Sequence, residues 1–270
     1  MIKTPLLLSL FLSSCSMIST TDSTNIQQAI NGSHRSEQHK SRDQYRHPQQ
    51  TLEFFEVKAN MSVVEIWPGG TGWYTEILAP LLKDEGTFYA AHYSANSGIP
   101  YFTKNLKKFS AKINAQPEIY GKTIVTALQP PEYLTIAPNN SVDRILTFRN
   151  VHNWMKNNQA DTIFKTLFDT LKVGGILGIV EHRAVAGSNQ DPKALSGYVT
   201  EQHVIALAKK AGFTFVAKSE INANTKDSTL HPKGVWTLPP SLRLKDQHRE
   251  KYLAIGESDR MTLKFVKQHL

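Results

Sequence analysis

Hydrophobic positions in this chain fall into short runs separated by amphipathic stretches. The clearest case is residues 62–82. Val63, Val64, Ile66 and Trp67 form an apolar run interrupted only by Glu65, which predicts a buried strand over Ser62 to Trp67. A glycine-rich turn follows, Pro68-Gly69-Gly70-Thr71-Gly72. After it Trp73, Ile77, Leu78, Leu81 and Leu82 recur at helical spacing. Strand, glycine turn and helix make the first half of a βαβ unit, and the alternation continues. Further strands are predicted over Thr87 to Tyr93, Thr123 to Ala127, Val142 to Phe148, Ile176 to Glu181, Phe213 to Ser219 and Met261 to Val266. Helices are predicted over Tyr101 to Phe109, Asp161 to Leu171 and Thr200 to Ala211. Gly174-Gly175 closes the second, and Thr200 and Gly212 bound the third. Strands alternating with helices predict an α/β domain whose mostly parallel sheet is covered on both faces.

The flanking segments read differently. Residues 220 to 258 are polar, contain Pro232, Pro239 and Pro240, and predict a long loop or lid before the last strand. Residues 16 to 40 are rich in Ser, Thr, Asn, Gln and His and predict a disordered tether, with the folded domain running from about Ser41 to Leu270. Ahead of the tether come Lys3, a short apolar run from Pro5 to Leu12, and Leu12-Ser13-Ser14-Cys15. The run is too short to span a bilayer. Its end resembles the bacterial lipobox. That resemblance implies a signal peptide over residues 1–15, a lipid on Cys15, export, and a membrane anchor facing the periplasm. A plain secretory signal cut nearby is the alternative. Cys15 is the only cysteine, so the chain has no intramolecular disulfide and no other thiol for chemistry.

Charge changes this picture little. The formal net charge is +8, but Lys and Arg are scattered without a long run, which argues against a nucleic-acid groove.

Several short stretches carry a family resemblance. They are Tyr45-Arg46-His47-Pro48, Glu65-Ile66-Trp67-Pro68-Gly69-Gly70 with Gly72-Trp73-Tyr74-Thr75, Arg149-Asn150-Val151-His152-Asn153-Trp154, Glu181-His182-Arg183-Ala184, and His231-Pro232-Lys233-Gly234-Val235-Trp236. Together with the order of elements they resemble the class I S-adenosylmethionine-dependent methyltransferases. Within that class they resemble predicted, often exported bacterial methyltransferases of unknown substrate. The resemblance implies a Rossmann-like, seven-stranded sheet with its last strand inserted antiparallel. It also implies S-adenosylmethionine as cofactor and a small-molecule or lipid-like methyl acceptor.

The resemblance also assigns roles. Glu65 would meet the amino group of the cofactor, or else cap the amides of its own loop. Gly69, Gly70 and Gly72 would wrap the cofactor, with Trp67 standing where the usual loop has its first glycine. His92 stands where an acidic residue ordinarily accepts bonds from the ribose, and Asn150 would complete that side. Arg149 and His152 follow the fourth predicted strand, at the sheet edge where open α/β sheets bind ligands. His152 suits a general base, since a neutral imidazole titrates near neutral pH. Glu181, His182 and Arg183 would line the same cleft or form an ion-pair network. Two rivals stand beside methyl transfer. One is a degenerate fold acting as an exported binding protein. The other is a metal enzyme using His92, His152, His182 and Glu181, which no ligand-pair spacing supports; no metal is expected.

Overall fold

The structure, a computed structural model, describes residues 19–269; the proposed lipidation site Cys15 lies outside them. Seven strands form one sheet in the order β3-β2-β1-β4-β5-β7-β6. They are β1 (Ser62–Ile66), β2 (Thr87–His92), β3 (Ile124–Ala127), β4 (Val142–Phe148), β5 (Leu171–His182), β6 (Phe213–Ser219) and β7 (Arg260–Lys267). β1 pairs in parallel with both β2 and β4, so the chain reverses its direction of travel across the sheet there. β7 is antiparallel to β5 and to β6.

Successive strand residues point to opposite faces, and the two faces bury different cores. Val64 and Ile145 pack with Trp154, Ile163, Phe164 and Leu167 on one side. Val63 and Leu146 pack with Leu52, Phe55, Ile77, Leu78 and Phe109 on the other. The helix Thr75–Leu82 buries the predicted stripe Ile77, Leu78, Leu81 and Leu82 against the sheet.

Four details differ from the sequence reading. Residues 19–40 are not an open tether: Thr20–Ile30 is a helix, capped by Ser19, that buries Ile26, Ala29 and Ile30. Those three sit at i, i+3 and i+4, a stripe narrow enough to be lost in a polar composition. Second, the helix Ala160–Thr170 runs straight into β5, because Leu171 already pairs with Val142 before the register shifts at Arg144. Gly174 and Gly175 therefore lie inside the strand. Third, a short helix, Val151–Lys156, follows β4 directly. Fourth, the segment 220–258 holds a 3-10 turn, Gly234–Thr237, and a helix, Arg249–Ile255. The buried Asp227 ties this segment to the domain, accepting from Tyr198 Oη, Thr229 N and Asp259 N and pairing with His231 Nε2 at 2.8 Å.

Candidate active site

Two neighbouring central strands end in the same unusual way. Trp67, just past β1, and Arg149, just past β4, both take left-handed backbone conformations (φ +47° and +63°). Such positions are costly for bulky residues and persist where the surrounding structure enforces them. Trp67 N donates to Ala91 O at 2.8 Å and Arg149 N to Val180 O at 2.7 Å, so each turn is held by the adjoining strand. Between these turns, at the carboxyl edge of the sheet, lies a cavity of about 350 Å³. The glycine loop forms one wall. Arg149, Asn150, His152, Asn153 and His182 form the opposite one. Val235, Trp236, Pro239, Pro240 and Ser241 close it from the long segment, with Glu257 and Ser258 beneath.

On the loop wall, Gly69 (φ +71°) has no heavy atom within 4 Å of where a Cβ would stand. This is the glycine that leaves backbone open to the cavity. Gly70 also lines it, but its N–H donates to Asn105 Oδ1 at 3.0 Å. Gly72 faces inward, where a Cβ would meet Phe109 and Thr75, so it serves the turn into the helix rather than the cavity. Trp67 sends its indole Nε1–H to Leu128 O at 2.8 Å and packs beside Tyr93, Phe102 and Trp154. The slot that commonly holds a glycine here carries an aromatic wall instead.

Glu65 and His92 stand behind this loop, outside the cavity lining. Glu65 is buried and accepts from Thr75 Oγ1 at 2.6 Å. Burial raises its carboxyl to about 7, against the lowering effect of that hydroxyl and of Lys112 and Arg149. His92 Nδ1 accepts from Tyr93 N at 2.8 Å, which puts the proton on Nε2, and Nε2 donates to Gly69 O at 3.3 Å. Burial holds the ring neutral, its pKa lowered to about 4. The expected ribose acceptor is thus spent on the loop itself: His92 has no lone pair to offer a ligand. Asn150, in contrast, reaches the lining. Its Nδ2 bridges Ile66 O at 2.8 Å and Thr147 Oγ1 at 3.2 Å, stitching β4 to β1.

The opposite wall is built around Glu181. Its side chain is fully buried, and four donors converge on it. Val151 N and His152 N donate to Oε2, and His182 N and His152 Nδ1 to Oε1, the last at 3.0 Å. This fixes the His152 tautomer with the proton on Nδ1 and leaves Nε2, which has no partner among the described residues, to the cavity. His182 lies beside it, ring centroids 5.3 Å apart, with Nδ1 2.5 Å from Ser258 Oγ. Burial, the His152 ring and nearby arginines hold His182 well below the ordinary histidine range, so it is neutral. Ligand atoms of His152, Glu181 and His182 all lie within 4.8 Å of one another. A carboxylate has about four lone-pair sites, and the four donors on Glu181 occupy them, so in this arrangement Glu181 has none left for a metal ion. Arg183 points elsewhere, into a network with Asp259, Glu201 and Glu220.

The sequence missed the supports contributed by residues before β1. Glu76, buried at the start of the helix after the loop, pairs with His39 at 2.9 Å, with Arg35 at 3.6 Å and with Lys112. Glu257 pairs with Arg42 at 2.7 Å, Arg46 at 3.2 Å and Arg260 at 3.1 Å. The sequence signal available was charge alternation within residues 35–46, which gives no partner.

No family description matches the chain, and no curated protein does. Solved structures do. A SAM-dependent methyltransferase from Aquifex aeolicus aligns with 74% of this chain and 93% of its own, at 18% identity and a TM-score of 0.52. The [4+2]-cyclase SpnF aligns with 91% of this chain and 92% of its own, at 12% identity and a TM-score of 0.54. A SAM-dependent methyltransferase from Methanosarcina mazei aligns with 79% and 95%, at 11% identity and a TM-score of 0.51. Identities this low speak to architecture alone. With the strand order and the antiparallel β7, they establish that the chain has the class I S-adenosylmethionine-dependent methyltransferase fold.

Proposed function

We propose that this protein is an S-adenosylmethionine-dependent methyltransferase with His152 as the general base for the acceptor. The observation that carries the reading is the Glu181–His152 pair: a fully buried carboxylate holding one imidazole nitrogen and leaving the other to the cavity.

The cavity fits the cofactor in outline. Gly69 offers open backbone, and Trp67, Tyr93 and Tyr101 offer aromatic surface for a base. What it lacks is an acid at the end of β2. Bound here, S-adenosylmethionine supplies an electrophilic methyl group and its own thioether leaving group. The protein's residues then have modest tasks. The loop and Trp236 exclude water, and Arg149 and Asn150 orient what lies between the walls. His152 Nε2 would take the proton that the acceptor's oxygen or nitrogen gives up. The imidazolium, steadied by Glu181, later returns its proton to water.

With no carboxylate for the ribose, binding is expected in the micromolar range or weaker, about −8 kcal/mol or less favourable. Calorimetry with S-adenosylmethionine and with S-adenosylhomocysteine tests this. Binding of neither to folded protein would turn the reading towards its rival, an exported binding protein on a methyltransferase fold. Fold does not dictate reaction: one solved structure of this architecture is called a cyclase.

The reading includes export and a lipid on Cys15, supported by the apolar run and Leu12-Ser13-Ser14-Cys15. No helix among the described residues is long and apolar enough to cross a membrane. Cys15→Ser should move the protein from the membrane to the soluble fraction; equal retention would refute the anchor.

A further inference from the structure

Among the arginines around the cavity, Arg149 is the one with no carboxylate in contact. Its guanidinium makes no hydrogen bond or ion pair among the described residues, although it is half-buried at the edge of the sheet. The nearest carboxylate in the lining, Glu257, is already taken. Arg42, Arg46 and Arg260 each donate to it, and it is 4% exposed. Even so, Arg42 Nη2 and Arg46 Nη1 remain buried without a partner. Four guanidinium groups therefore surround one carboxylate, and Lys108 adds a further cation across the cavity. Glu257 is the only acidic residue in the lining. An arrangement so short of negative charge is completed by an anion. The planar fork of an arginine matches a carboxylate or a phosphate in two parallel hydrogen bonds. Arg149 also sits three residues from His152, on the turn that carries the base, and opposite the open Gly69.

We propose that the methyl acceptor is a water-soluble small molecule carrying a carboxylate or phosphate, gripped by Arg149 while its nucleophile faces His152. This rests on the methyl-transfer reading for the role of His152, but the anion site itself stands independently of it. Donor and acceptor both could supply a carboxylate, so the test separates them.

Calorimetry would use inorganic phosphate, 4-hydroxybenzoate, S-adenosylhomocysteine and 5′-methylthioadenosine, on wild type and on Arg149→Gln. The expected result is that wild type binds at least one of the two small anions, and that Arg149→Gln weakens this by about tenfold or more, as loss of a charge-assisted pair requires. Binding of S-adenosylhomocysteine should be unchanged in the variant. Should the variant fail to fold, the wild type alone decides. 4-Hydroxybenzamide, the uncharged counterpart, should then bind about tenfold more weakly than 4-hydroxybenzoate. Failure of both anions to bind wild type would overturn the proposal, as would equal affinity in the variant or for the amide. So would a variant that loses S-adenosylhomocysteine but keeps 5′-methylthioadenosine, because the anion seated on Arg149 would then be the donor's own carboxylate. If S-adenosylhomocysteine fails to bind wild type, methyl transfer falls, and the anion titrations still decide the role of Arg149.

Discussion

The two walls of the cavity use their buried polar groups differently. On the glycine-loop side, Glu65, His92, Asn105 and Lys112 all bond to the loop or to the helix after it. They hold shape and present little but backbone and aromatic surface. On the β4–β5 side, the buried Glu181 also spends every lone pair on its surroundings, yet the result is a histidine nitrogen and an arginine left facing the ligand space. A buried carboxylate is thus no guide by itself to a binding role. What matters is whether its partners end at the cavity. The difference predicts that damage to the first wall reads out as stability or binding, and damage to the second as turnover.

The largest expected effect comes from removing the first wall's outer support. A chain starting at Ser41 loses the burial of Ile26 and Ile30, about 1.5–3 kcal/mol each, and leaves Glu76 without His39 and Arg35. Chemical denaturation should show a fall of at least several kcal/mol or no cooperative transition, whereas a midpoint equal to the full chain's would mean that the helix merely rests on the surface. On the second wall, His152→Ala should lower transfer by about 10²–10⁴-fold, the usual worth of a positioned base. Calorimetric affinity for S-adenosylhomocysteine should stay the same; a parallel loss of affinity would place His152 on the donor instead.

Glu65→Gln sharpens the contrast through pH. The carboxyl of Glu65 is raised from 4.5 to about 7 by burial, so the folded state binds its proton more tightly than the unfolded chain. The favourable contribution is present below pH 4.5 and disappears as the pH rises to about 7, a change of about 3 kcal/mol. Urea melts from pH 4.5 to 8 should show wild type losing stability relative to Glu65→Gln across that window. A constant difference would mean that the carboxyl is ionised throughout. The smallest effect in stability is expected for Gly69→Val. Its left-handed backbone costs a non-glycine residue about 1–2 kcal/mol, and the side chain enters open space rather than the core. Binding of S-adenosylhomocysteine should nevertheless be lost, and binding at wild-type affinity would remove Gly69 from the cradle.

Much of this was legible from residue order. The strand–glycine–helix unit at 62–82, the basic helix after β2 and the antiparallel last strand follow from periodicity and from the family resemblance. So does the placing of Arg149, Asn150 and His152 at one sheet edge. What was not legible shares one physical cause, namely contacts distant in sequence. His92 occupies the expected position but faces the back of Gly69, because the amide of Tyr93 takes its acceptor. Glu181 became the orienting group only when β5 lay beside β4. Arg35 fell in the expected tether and Arg46 in a motif given no contact, yet both are nearly fully buried around Trp73 and its neighbours, with cation–π contacts at 5.0 and 4.6 Å. The Thr20–Ile30 helix is too short to form alone and exists through its docking.

That docked helix also sets how the molecule would sit on a bilayer. Asp22, in its first turn, pairs at 3.4 Å with Lys58, just ahead of β1, so the helix begins at the edge of the sheet where the parallel strands start. The cavity opens at the edge where they finish. From Cys15 to Ser19 the chain reaches about 14 Å at most. With a lipid on Cys15, the leash is short enough to hold the domain with its strand-start edge towards the headgroups. The mouth of the cavity would then look outward into the aqueous space. An acceptor that diffuses in solution would have a direct approach there, and one buried among acyl chains would not.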